Sequence, residues 1–267
     1  MKKYMLLLLF LFLPLVLFSQ DNKENVTPSS ITDEAGKESV APFTPKEPTF
    51  NLEREFKFGK EVIKNNGFMK VFQTYQAVRS EKLSTCGAST ECKAAVPALL
   101  AIRYTGEGRC KDIKDQSLQQ LCMAVNSNNC AALPGDQRKF CQSFLSGDIN
   151  GLVTASNSLE IVGSLGFPVR KPEAALMLGI YSGFKSYSII ACEKYTNQEK
   201  MPLSRKLACK VMFASDPDRE AADLGSDLAM FFVTRYRTKP ELCESVVDSA
   251  IKDACNDKNI KDLRDVW

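Results

Sequence analysis

Cys110-Lys-Asp-Ile-Lys-Asp-Gln-Ser-Leu-Gln-Gln-Leu-Cys122 and Cys243-Glu-Ser-Val-Val-Asp-Ser-Ala-Ile-Lys-Asp-Ala-Cys255 are two versions of one pattern. Each runs Cys, two residues, a branched aliphatic, one residue, Asp, and then an aliphatic stretch closed by a second Cys. Cys130 to Cys141 is a version one residue shorter, with Leu133 at the aliphatic place and Asp136 near the acidic one. Cys192 to Cys209 is a longer relative. In one unbroken helix, residues twelve apart would lie ~18 Å from each other along the axis. A disulfide needs its Cα atoms within ~7 Å, so a bonded pair requires the chain to reverse between them. Leu133-Pro134-Gly135-Asp136 is a turn signal, and Pro202 interrupts the Cys192 unit. Ser117 stands three residues before Gln120, the spacing of a capping box that starts a new helix. The expectation is a set of miniature helical hairpins, each clipped at its open end.

The ten cysteines are Cys86, Cys92, Cys110, Cys122, Cys130, Cys141, Cys192, Cys209, Cys243 and Cys255. An even number in a chain that opens with an export signal reads as a disulfide framework. Ten cysteines allow a great many pairings, of which the sequential one is simplest: 86 with 92, 110 with 122, 130 with 141, 192 with 209 and 243 with 255. There is no C-x-x-C, so neither a zinc knuckle nor a thioredoxin-type redox pair is matched. No metal and no cofactor is expected.

Outward from these units the chain reads as helix after helix. Phe56, Val62 and Ile63, then Phe68, Val71, Phe72, Tyr75 and Val78, recur at helical spacing, with Asn65-Asn66-Gly67 separating two helices. Cys92 to Tyr104 is apolar and Ala-rich, Glu173 to Tyr195 reads as one long helix of buried character, and Arg219 to Tyr236 carries Leu224, Leu228, Phe231 and Phe232 on one side. Runs of period two are scarce, so almost no sheet is expected. Ala174 to Ala191 is apolar enough to raise a membrane reading, but Ser182, Lys185, Ser186 and Ser188 lie inside it and favour a core helix. Leu99, Tyr104 and Cys110 run in the same order as Met230, Tyr236 and Cys243, as if a longer helix fed each clip. The fold class expected is all-α: a helical bundle, or a short irregular helical-repeat array, occupying residues 50–267.

Residues 1–19 read as a secretion signal, with Lys2 and Lys3 ahead of an apolar run from Met5 to Phe18 and a small residue, Ser19. That run is short of the ~20 residues of a membrane-crossing helix, so no permanent span is expected after cleavage. Residues 20–49 are polar, with Pro28, Pro42, Pro45 and Pro48, and read as a disordered linker. Loss of Lys2 and Lys3 would leave a net charge of about +1, without the basic excess of a nucleic-acid binder.

The chain contains no histidine. Triads with a histidine base, imidazole metal sites and histidine pH switches are excluded. Ser182-Gly183-Phe184-Lys185 spells S-x-x-K, the pairing in which a lysine activates a serine, but no K-T-G accompanies it and the S-x-N at Ser127 to Asn129 precedes it. Glu160, between Leu159 and Ile161, is a candidate buried acid for a carboxylate-pair hydrolase. Gly106-Glu107-Gly108 lacks the third glycine of a dinucleotide site and reads as a loop. Asp115 and Asp248, inside the matching units, read as helix caps rather than ligand contacts. The function expected is a non-enzymatic binding or scaffold protein, secreted or periplasmic, whose partner is another protein or an envelope polymer. The alternatives are a carboxylate-dependent hydrolase and a secreted inhibitor or effector.

Overall fold

The computed structural model describes residues 49–159, 169–198 and 200–267. The readings of residues 1–19 as a signal and of the linker up to residue 48, and the candidate acid Glu160, fall outside them.

Twelve α-helices and five short 3-10 turns make up the described chain, and no strand occurs among the described residues. Asn51 caps α1 (Leu52–Asn65), its side chain accepting from the Arg54 amide. Gly67, at φ 76°, turns the chain into α2 (Phe68–Ser80), a backbone conformation that costs glycine little. There follow α3 (Thr90–Glu107), α4 (Gln116–Asn126), α5 (Gly135–Ser146) and α6 (Ile149–Ser158). After the undescribed stretch come α7 (Lys171–Ser186), α8 (Ile189–Thr196), α9 (Leu203–Lys206), α10 (Ala208–Phe213), α11 (Pro217–Tyr236) and α12 (Ser249–Asn256).

All ten cysteines are paired, and in sequential order, with Cα separations of 5.5 to 5.8 Å. Four of the five clips share one construction. A helix ends on a left-handed residue: Glu81, Gly108, Asn128 or Thr238. A 3-10 turn then carries the first cysteine: Leu83–Cys86, Cys110–Asp112, Cys130–Ala132 or Pro240–Ser245. An N-cap starts the next helix, which carries the second cysteine. These clips are therefore one-armed, a single turn pinned to the helix that follows, and not pairs of helices. The Cys192–Cys209 clip alone joins two α-helices, α8 and α10, with Pro202 capping α9 between them.

The sequence reading is corrected at three further points. Asp115, not Ser117, is the cap of α4: its carboxylate accepts from the Leu118 amide at 2.9 Å, while the Ser117 hydroxyl accepts from Gln137. Glu173 to Tyr195 is two helices, because Tyr187 turns left-handed and Ser188 caps α8. Gly106 and Glu107 are helical. A side chain at 106 would meet the Tyr181 carbonyl at 2.7 Å, so the glycine lets α3 and α7 approach.

In the core, α7 packs on α3 and α8, α2 on α3 and α10, and α1 on α11. Phe72, Tyr75, Leu99, Leu178, Met212 and Phe231 are fully enclosed. Enclosing each such side chain is worth about 1.5 to 3 kcal/mol. The Tyr75 hydroxyl donates to the Ser204 carbonyl at 3.0 Å, so its burial leaves no orphan polar group. Ala101, Ile113 and the Cys110–Cys122 pair form a separate small cluster, and an apolar void of about 40 Å³ lies between it and the main core.

Candidate binding cleft

Two stretches remote in sequence face each other across a cleft of about 700 Å³. That is within the range of small-molecule sites, ~300 to 1,000 Å³. On one wall stand Lys200, Lys206 and Lys210, brought there by α9, α10 and the loop before them. Leu203 and Lys206 lie one turn apart on α9, and Lys210 on the next helix, α10, lines the same cleft. On the other wall α12 and the residue that follows it, Asp257, present Ser249, Asp253 and Asp257 as exposed groups and Ala250 and Ala254 as partly buried ones. Glu193 of α8 lies at the margin, and Leu203, Ile260 and Val266 complete an apolar floor.

Each wall is held by a disulfide. Cys192–Cys209 ties α8 to α10 beneath the basic wall, with the Thr196 hydroxyl 3.1 Å from the Cys209 sulfur. Cys243–Cys255 pins α12 to the turn before it. Two more devices fix α12. At its start Asp248 accepts from the Ile251 amide at 3.0 Å. At its end one Arg235 nitrogen donates to the Cys255 and Asp257 carbonyls, both at 2.6 Å, where a cation also complements the helix dipole.

The walls meet at two places. The Lys210 ammonium binds the Asp248 carboxylate, while Asp227 receives the Val247 and Asp248 amides from behind. Toward Trp267, the Leu203 amide donates to the Val266 carbonyl and the Ser204 hydroxyl to the Trp267 carbonyl. Between these contacts no ion pair among the described residues joins Lys206 to Asp253 or Asp257.

The residues singled out in the sequence fall elsewhere, Asp248 excepted. Lys185 donates to the Tyr181 hydroxyl at 2.8 Å, one turn back along α7, and so is directed away from Ser182. Ser127 to Asn129 form the turn that leaves α4, with the Asn129 side chain accepting from the Ala131 amide. Asp115 and Asp248 both cap helices, as read, and Asp248 adds the link to Lys210. The cleft as a whole was not anticipated, since residues 193–210 and 249–266 carry no shared motif. The signals present were the four-residue spacings of Lys206 with Lys210 and of Asp253 with Asp257.

Two other groups of side chains cluster at the surface. Phe58, Phe232 and Tyr236 form a half-exposed aromatic group between α1 and α11, with ring centroids 5.4 to 6.0 Å apart. Beyond α2, Glu81 receives Arg109 and Tyr104 and faces Arg103. The Arg109 hydrogen bond holds the Glu81 carboxyl below the usual glutamate range. Burial, reinforced by Glu81, raises the Tyr104 phenol.

Among the described residues no helix is long and apolar enough to cross a membrane, and no group of three or more metal-ligating side chains stands together. Five disulfides suit an oxidising compartment. Comparison with protein-family models, with curated proteins and with solved structures finds no match for this chain.

Proposed function

We propose that this is an exported, non-enzymatic binding protein of the periplasm or extracellular space, whose ligand occupies the cleft between α9–α10 and α12. The ligand derives from another protein or from an envelope polymer, as a released fragment. The observation that carries the reading is the cleft itself: opposed lysine and carboxylate walls over an apolar floor, each wall held by a disulfide. Rigid walls reduce the ordering cost that binding must overcome. Export is supported by the signal-like Met1 to Gln20 and by the complete pairing of the cysteines.

The hydrolase alternative needs a protonated acid and a second carboxylate on opposite sides of a scissile bond, about 5 to 10 Å apart. Asp253 and Asp257 instead stand one turn apart on the same wall and are both exposed. That placement suits a charged rim better than an acid–base pair.

The test is amide NMR of the oxidised protein against a panel of glutamate, lysine, trialanine, chitobiose and inorganic phosphate, repeated on Ala250→Trp, which plugs the floor. At least one compound should shift amides of α9, α10 and α12 saturably, lose that effect in the plugged variant, and be recovered intact. Absence of any shift at the cleft, or conversion of a compound, would contradict the reading.

A further inference from the structure

We infer that the ligand of this cleft is a zwitterionic, peptide-like molecule, its carboxylate directed to Lys206 and its ammonium to Asp253. The inference rests on the binding reading above and adds the chemical class of the ligand.

Some of the charges lining the cleft are already engaged. Lys210 is bound to Asp248, and the Asp257 carboxylate accepts from the Asn259 amide and side chain at 2.9 and 3.0 Å. Lys206 and Asp253 have no ion-pair partner among the described residues, although both line the same cleft. Lys200 repeats the positive sign on the first wall, and Glu193 adds a second carboxylate at the margin.

Opposed charges that do not meet set a rule for what can lie between them. A purely anionic ligand gains at Lys206 and is repelled at Asp253, and a purely cationic one does the reverse. A molecule carrying both signs, oriented from wall to wall, gains at both ends and is discriminated from either single-sign competitor. Each such contact strengthens where water is partly excluded. The floor narrows the class further. Ala250 and Ala254 are small enough for a backbone to approach closely, and Leu203, Ile260 and Val266 offer apolar contact to short side chains. Among the described residues no aromatic ring lines the cleft to offer the stacking face that sugar rings use.

The probe is trialanine with free termini, compared by isothermal titration calorimetry with acetyl-trialanine, trialanine amide and the neutral sugar chitobiose, all on the full oxidised protein. Free trialanine should bind, and blocking either terminus should weaken it at least tenfold. In Lys206→Ala the penalty for the amide should vanish while that for the acetyl group persists. In Asp253→Asn the pattern should be the reverse. Asp253 is exposed and Lys206 partly buried, and circular dichroism checks that each variant is folded. Equal binding of free and blocked peptides, the same selectivity change in both variants, or no binding of trialanine overturns the inference. Chitobiose binding at the cleft without trialanine binding overturns the zwitterion while leaving a binding protein. A cleft that responds to none of these probes overturns both.

Discussion

Asp115 and Asp248 occupy the same place in matching clips and do the same local work, yet only Asp248 also holds a lysine. Their substitution separates the two contributions. Asp115→Ala should cost about 1 kcal/mol, the value of one N-cap. Asp248→Ala should cost about 2 to 3 kcal/mol, because it also leaves the half-buried Lys210 without its charge-assisted bond. Urea unfolding of the two variants measures the difference, and equal losses would mean that the Lys210 contact contributes nothing. Titration gives a second residue-scale expectation. The Glu81 carboxyl is held below its ordinary value of 4.5, chiefly by Arg109. Near that value the unfolded chain therefore binds more protons than the folded one. The stabilisation is fully present above about pH 4.5 and is lost as pH falls through the depressed folded value. Glu81→Gln should flatten the acid limb of a plot of unfolding free energy against pH, and an unchanged limb would contradict the Arg109 pairing. At this scale the capping role of Asp115 and Asp248 was legible, because it depends on neighbours within three residues. The significance of Lys206 and Asp253 was not, because each draws its meaning from a wall built by distant sequence.

At the scale of elements, the recurring cysteine pattern carried most of the structure. Chain reversal between paired cysteines followed from the ~7 Å limit on Cα separation, and the sequential pairing from the simplest use of it. The nature of the first arm did not follow. Its residues form one 3-10 turn because a left-handed residue just upstream has already ended the preceding helix, leaving only a few positions before the next N-cap. Tyr187 escaped detection for a related reason. It is left-handed and 84% exposed, a place where glycine or asparagine is the usual signal, so α7 and α8 read as one helix. Gly106 misled in the opposite direction, its glycine meaning close packing and not a loop. Gly106→Ala gains about 1 kcal/mol in helix propensity but drives a Cβ onto the Tyr181 carbonyl and the Phe184 and Lys185 atoms beyond it. Backbone cannot yield as a side-chain tip can, and the net effect should be a loss of about 1 to 2 kcal/mol. Gly108→Ala, with open space but φ 73°, should lose about 1 kcal/mol from conformation alone. Thermal unfolding of the pair tests this, and a stabilised Gly106→Ala would show that α3 and α7 are not in such close contact.

For the molecule as a whole, composition and periodicity were enough for an all-α fold, since hydrophobic spacing of three and four residues is a local property. The order in which helices pack was out of reach, because α1 meets α11 and α2 meets α10 through contacts that leave no periodic trace. The cleft belongs to that second class, and so its discovery needed the fold. Its rigidity depends on the disulfides, and with them stands the central claim that five sequential clips hold a helical body built for an oxidising environment. Non-reducing peptide mapping by mass spectrometry, on protein collected from the compartment to which its natural host delivers it, tests this most directly. The expected result is a mature start near Gln20 and five links, 86–92, 110–122, 130–141, 192–209 and 243–255, with no free thiol. Free cysteines, links between different clips, or a retained Met1 to Ser19 segment would contradict it.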